Sequence, residues 1–193
     1  MNKEICGWYI GMSAGERVDY IFMNFRNIMR ILSSQQEALA MRVSILRESS
    51  AHNHEELGVA IMKSQNPGGV TESFAENRVY TLECIKQFKL PNSILVGIDD
   101  TEEIRYAMHE LDVLRLEYDL FKNRIHNLDE DDAFILASYV SRKKSVDELS
   151  EILAIEPESV RKKLYRIKKK LKAAMVRFSA TKLKCLWLIR QVQ

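Results

Sequence analysis

Glycine and proline are scarce in this chain, at seven and three of 193 residues. Both interrupt helices, so their rarity points to a chain that is almost entirely helical. Cysteine is equally sparse: Cys6, Cys84 and Cys185 are odd in number, far apart and form no CxxC pair. That argues against a disulfide frame or a cysteine zinc site and for a reducing cytoplasm. No run of about eighteen apolar residues occurs, so no membrane-spanning helix is expected. The first residues have neither a long apolar run nor a cleavage pattern, so no signal peptide is expected either. A glycine-rich phosphate loop, a nucleophile elbow and an HExxH sequence are also missing. The expectation is therefore a protein that is not an enzyme, with no catalytic residue and no cofactor. The last absence is of one charge sign: residues 159–193 contain twelve Lys or Arg and no Asp or Glu.

What is present follows from that asymmetry. The whole chain carries 29 basic and 27 acidic side chains, a net of +2. Setting aside the twelve cations of 159–193 leaves 17 basic against 27 acidic residues, a net of −10. A polycationic end on a mildly acidic body points to nucleic-acid binding at that end.

The chain is organised around residues 145–171, which read as two short helices joined by a tight turn. Ser145 and Glu148 have the spacing of a capping box. Leu149, Ile152 and Leu153 share one face of the helix that follows. Ala154, Ile155 and Glu156 form the turn. Pro157 stands at the first position of the next helix, where its missing N–H costs nothing. Val160, Leu164, Ile167 and Leu171 give this second helix an apolar stripe. Its other face carries Glu158, Ser159, Arg161, Lys162, Tyr165, Arg166 and Lys169. A helix with one apolar and one cationic face, following a short capped helix, suits the major groove of double-stranded DNA. A solvated face on an ordinary bundle helix is the bland alternative, but cap, turn, proline and charge all favour DNA.

Elsewhere the pattern is of long helices. Ser13 and Glu16 form another capping box, after which a long helix is expected. Phe22, Phe25, Met29, Leu32, Gln36, Leu39, Val43 and Leu46 recur in steps of three and four, a heptad seam with one polar break. Ile21, Ile28, Ile31 and Ile45 widen it, so self-association and internal packing fit equally well. His52, His54, Glu55 and Glu56 resemble a metal cluster, but on a helix the two imidazoles point apart; no metal site is expected. Residues 65–69 (QNPGG) are the strongest break. Residues 71–89 read as a helix with Phe74, Val79, Leu82, Ile85 and Phe88 on its apolar side and Thr71 or Ser73 as its cap. Residues 90–93 break again, and 94–98 (ILVGI) read as a β-like connector. Residues 101–128 are the second long helix, capped by Thr101, with a cleaner seam: Ile104, Ala107, Leu111, Leu114, Tyr118, Phe121, Ile125 and Leu128. That seam can pair with a twin in another subunit or lie against the N-terminal helix. Asp129 is placed to cap a helix from Glu130 to about Ser141, with Leu128 and Ala133 as a staple. Phe134, Ile135, Leu136, Tyr139 and Val140 supply its core face. Arg142, Lys143 and Lys144 lead into Ser145. Beyond Leu171 the helix can continue as a basic amphipathic tail with Phe178, Leu183, Leu186, Trp187 and Ile189. Packing on the body or phosphate contact fits this tail better than a membrane surface.

Glu148-Leu149-Ser150, Leu153-Ala154-Ile155, Val160, Leu164, Arg166 and Leu171 resemble the helix-turn-helix of sigma-factor region four. Ala154 stands where that pattern has glycine, which makes a left-handed turn costlier or reshapes it. Glu156 stands where the pattern has Ser or Thr, a weaker cap. From Val70 to Leu171 the layout also resembles the ArpU/RinA-type phage transcriptional regulators. That resemblance implies control of phage or prophage genes. It also implies base contacts by Glu158, Arg161 and Lys162, and phosphate contacts by Arg166, Lys169, Arg142, Lys143, Lys144 and the Ser145 amide.

The expectation is an all-α, cytoplasmic chain in which long coiled-coil-like helices precede a C-terminal helix-turn-helix domain. Its segments are a helical region (1–66), a helical or coiled-coil connector (70–127), the DNA-binding domain (128–172) and the tail (173–193). The expected function is sequence-specific transcription regulation as a homodimer. The rival readings are a DNA-packaging protein such as a small terminase subunit, and a regulator acting chiefly through RNA polymerase.

Overall fold

The computed structural model describes the backbone of residues 7–56 and 69–190, with side chains within 7–50 and 75–177. All regular structure among the described residues is helical: α1 (Ala14–Asn24), α2 (Ile28–Glu56), α3 (Gly69–Lys86), α4 (Asn92–Leu95), α5 (Thr101–His126), α6 (Glu130–Val140), α7 (Val146–Leu153) and α8 (Pro157–Arg190). No described helix is long and apolar enough to cross a membrane. Most of the 65–69 break, the side chains of His52, His54, Phe74 and the 178–193 tail (Cys185 among them), and Cys6 lie outside the described residues. Cys84 is a buried free thiol.

The chain divides into two compact units that are not consecutive segments. One comprises Met1–Trp8 with Arg30–Val113, the other Tyr9–Met29 with Leu114–Gln193. The reader expected at 128–172 falls wholly within the second.

In the first unit the buried apolar side chains are Leu32, Leu39, Ala40 and Val43 of α2, Cys84 and Ile85 of α3, Ile94 and Leu95 of α4, Ile98, and Ile104, Ala107, Leu111 and Val113 of α5. Arg42 of α2 ties α5 down, pairing with Asp100 at 3.2 Å and Glu103 at 2.6 Å. Several sequence expectations need correction here. In α3 it is Thr81, Cys84 and Ile85 that turn inward, while Val79 is exposed. The helix starts at Gly69, which puts Thr71 and Ser73 inside it rather than at its cap. It ends where Phe88 turns left-handed at φ 54° and the Lys89 amide reaches back to the Cys84 carbonyl, a Schellman closure. The β-like 94–98 stretch instead forms the single turn α4, with Ile94, Leu95 and Ile98 buried. Thr101 is the first residue of α5, not its cap: its hydroxyl donates to the Ile98 carbonyl, and the Asp100 carbonyl accepts the first helical amide, from Ile104.

In the second unit α8 packs against α1, α6 and α7. The core comprises Val18 and Ile21 of α1, Leu114, Tyr118, Phe121 and Ile125 of α5, Ile135, Leu136 and Val140 of α6, Leu149 of α7, and Val160, Ile167, Leu171 and Met175 of α8. The long helix expected after Ser13 is broken at 25–27, where the Asn24 side chain caps the Tyr20 carbonyl and its own carbonyl accepts from the Asn27 amide. The seam changes register there: Ile28 is buried and Met29 exposed. The break lets Phe22 and Phe25 close on the far half of α5, with ring centroids 4.7 Å (Phe22–Phe121) and 5.4 Å (Phe25–Tyr118) apart. Beside them Glu117 is buried and accepts from the Tyr9 hydroxyl at 2.6 Å and from Arg17 Nε at 3.1 Å. Burial, reinforced by the neighbouring Glu117 carboxylate, pushes the Tyr9 phenol far above its ordinary range. The α5 seam from Ile104 to Ile125 is buried throughout in the single chain.

In α6, Asp129 holds the cap position, but its carboxylate makes no capping bond; its carbonyl accepts from Ala133. Phe134 and Tyr139, expected in the core, are exposed. An eleven-residue helix can bury only one stripe, and Ile135, Leu136 and Val140 fill it.

Candidate nucleic-acid interface

The candidate interface is built from the end of α6, the loop after it, and the helices α7 and α8. Helix α6 ends in another Schellman closure: Arg142 adopts φ 52°, its amide reaches the Tyr139 carbonyl and that of Lys143 the Ser138 carbonyl at 3.0 Å. The turn exposes Arg142 and Lys143 and leaves Lys144 half-buried. Ser145 then starts α7 with the expected capping box. Its hydroxyl accepts from the Glu148 amide at 3.2 Å, and the Glu148 carboxylate accepts from the Ser145 amide at 2.6 Å. That backbone bond, with the hydroxyl adding to it, holds the Glu148 carboxyl below its ordinary range. It also occupies the Ser145 amide, which the sequence reading had assigned to a DNA phosphate.

Helix α7 closes on a left-handed residue, so of the two outcomes open at Ala154, a costlier turn or a reshaped one, the turn is the costlier. Ala154 sits at φ 50°, ψ 42°, in the region an L-residue enters at a cost of about 1–2 kcal/mol. The Ile155 amide donates to the Ser150 carbonyl at 3.2 Å, and the Ser150 hydroxyl donates to the Ile155 carbonyl at 2.6 Å. Of the three apolar residues assigned to α7's inner face, Leu149 is buried and Leu153 half-buried, but Ile152 is 52 % exposed. Two turns of helix offer room for little more than one anchor. Helix α8 begins at Pro157, and the Glu156 carbonyl accepts from Ser159 and Val160. Its apolar stripe faces inward: Val160, Ile167 and Leu171 are buried, with Leu164 half-buried between them and Met175 extending the line.

The outward face carries the seven side chains singled out on this helix. Glu158, Ser159, Arg161, Lys162, Tyr165, Arg166 and Lys169 are all exposed, Tyr165 to 67 %. Glu158, Lys162, Tyr165 and Lys169 follow one another in steps of four, three and four, so they form one ridge. Arg161 lies to one side of it and Arg166 to the other. Arg161 Nη1 stands 3.4 Å from the Glu158 carboxylate, and Arg166 Nε lies 3.4 Å from the Lys162 carbonyl.

Arg142, Lys143, Lys144 and Ser145 meet Arg161 and Tyr165 around one open cleft of about 930 Å³, floored by Phe22, Leu136, Val140 and Leu164. Glu158, Ser159, Lys162, Arg166 and Lys169 do not line it. The cleft adds two residues not singled out from sequence, Tyr139 and Lys168. Tyr139 had been assigned to the core. Lys168 sits in an undivided run of lysines, and its neighbour Asp19 lies on α1, far away in sequence. No local pattern marks either one. Among the described residues, no group of His, Cys, Asp or Glu has the arrangement of a metal site.

The surface is thus a helical ridge of cation, phenol and carboxylate, flanked by a basic loop whose backbone closes α6. Chemically it can donate to anionic oxygens and to acceptors on base edges, and through Glu158 it can accept from an amino group. Comparison with protein-family models, with curated proteins and with solved structures finds no match to this chain.

Proposed function

We propose that the chain is a sequence-specific, double-stranded-DNA-binding transcription regulator, of the kind its resemblance to phage and prophage regulators implies, and not an enzyme. The observation that carries this reading is the two-sidedness of α8. Val160, Ile167 and Leu171 of its apolar stripe are buried and Leu164 half-buried, while every polar side chain from Glu158 to Lys169 assigned to DNA stands exposed. In this reading α7 and α8 act as a helix-turn-helix, with α8 lying in the major groove. Arg161 and Lys162 donate to guanine edges, and Glu158 accepts from cytosine N4. Lys169, Arg166 and the Arg142–Lys144 loop hold phosphates and set the register. Tyr165, projecting between the cations, adds a hydroxyl and a flat apolar surface.

The test combines selection of bound fragments from a random DNA pool with two variants. Arg161→Ala is expected to lose about 1–3 kcal/mol on the selected site and to relax the choice of base at one position. Lys169→Ala should weaken every duplex alike and flatten the salt dependence by about one charge. If both variants bind every duplex as the unaltered protein does, α8 is not the reading surface.

A further inference from the structure

The cleft beside α8 is lined by Arg142 and Lys143 from the loop between α6 and α7, by Arg161 and Lys168 from α8, and by Tyr139 and Tyr165. Glu148 is its only carboxylate, and that group is committed to the Ser145 amide. Cations brought to one open cleft by two separate elements suit an extended anionic strand better than a single point anion. The cleft is also continuous with the exposed ridge, since Arg161 and Tyr165 belong to both.

Lys168 differs from the other cations of this cleft. Its ammonium lies 3.5 Å from the Asp19 carboxylate of α1 and 5.0 Å from the centre of the Phe22 ring. Asp19 also accepts a hydrogen bond from Lys172, one turn further along α8. Burial alone would raise the Asp19 carboxyl, but the bond and charge of Lys172, and then of Lys168, outweigh it and hold the group below its ordinary range. All three side chains remain between one-third and one-half exposed, so water and another anion can reach them. An exposed ion pair of this kind is weak, whereas a strand that collects several cations at once releases its counterions together.

We propose that the cleft seats one sugar-phosphate strand of the bound duplex, that Lys168 is a further phosphate ligand there, and that Asp19 is a built-in anionic competitor which lowers the affinity of α8 for all DNA alike. This rests on the DNA-binding reading above. Asp19 occupies Lys168 and Lys172 in the free protein; DNA must draw Lys168 away. The competitor restrains affinity without touching base choice, because neither lysine belongs to the Glu158–Lys162 segment that faces bases.

The experiment measures binding of the full chain to a 30-base-pair random-sequence duplex over a range of salt. Asp19→Asn is expected to bind about two- to fivefold tighter, the scale of one exposed ion pair, with a logarithmic salt slope close to that of the unaltered chain, because Lys168 meets phosphate in both. Lys168→Gln, with Asp19 intact, is expected to bind more weakly with a slope shallower by about 0.9. In the double variant most of the Asp19→Asn gain should vanish. A gain that persists in full without Lys168 reflects overall charge and overturns the competitor. If Asp19→Asn proves too unstable, Lys168→Gln decides alone: an unchanged affinity and slope overturns the proposal. So does a Lys168→Gln defect seen only with an acidic peptide such as poly-glutamate, which would assign the cleft to a protein. Failure of the unaltered chain to bind any duplex sinks the DNA reading itself; binding that neither variant shifts sinks only this inference.

Discussion

The turn between α7 and α8 depends on one residue held against its preference. Ala154 adopts a left-handed conformation that glycine enters freely, and the bonds around it, from the Ile155 amide and the Ser150 hydroxyl, hold it there. Its side chain is exposed, so nothing is lost by deleting the methyl. Ala154→Gly should therefore stabilise the folded protein by about 1 kcal/mol, partly offset by the greater freedom glycine gives the unfolded chain. Chemical denaturation followed by circular dichroism reads this as a higher midpoint at unchanged slope. A midpoint that falls would mean that the turn is not held in this conformation. The sequence announced the problem, because alanine stands where a glycine is expected. It did not say whether the turn would be strained or reshaped, and the dihedral angles show strain.

Local signals of this kind were the most legible part of the fold. Both capping boxes form as their spacing requires, and Pro157 opens α8, because each is settled within four residues of chain. What failed was the assignment of faces. Phe134, Tyr139, Ile152 and Val79 are as apolar as their buried neighbours, and which of them turns inward depends on a partner helix distant in sequence. The break between α1 and α2 belongs to the same class: no proline or glycine marks it, and the aromatic contacts with α5 account for it. Helix α7 has only eight residues and relies on its cap more than the long helices do. The Glu148 carboxyl is depressed by the Ser145 amide first and hydroxyl second. A depressed carboxyl stabilises the fold above its unfolded pKa, and that contribution disappears as pH falls through the lower, folded value. Glu148→Gln should accordingly lower stability at neutral pH, where the carboxylate caps α7, and remove part of the acid sensitivity of stability below the ordinary carboxylate range. Thermal melts of both proteins from neutral pH downward would show curves that converge in acid; parallel curves would mean that the carboxylate does not cap α7.

At the scale of the whole molecule the question is how many copies meet the DNA. The sequence reading offered the two heptad seams as surfaces for a twin. In the single chain the α5 seam is buried from Ile104 to Ile125, and Leu32, Gln36, Leu39 and Val43 of the α2 seam are buried as well. Opening either seam to a partner would expose apolar area at roughly 25 cal/mol per Å², a cost that disfavours pairing through the seams. On α2 the outward positions Met41 and Ile45 are about half exposed, four residues apart on one face. Among the described residues of α2, those two side chains form too small a patch for a standing dimer, since stable interfaces bury on the order of 800 Å² per partner. The free chain should therefore sediment as a single copy near 22.4 kDa, and a duplex carrying two copies of its selected site should gather two. If free chains already pair and Met41→Lys returns them to single copies, the α2 face is a true dimer surface and the two-fold arrangement precedes DNA. A ring of eight or more would instead favour the packaging alternative, because that geometry presents many cationic ridges around one duplex rather than two along it.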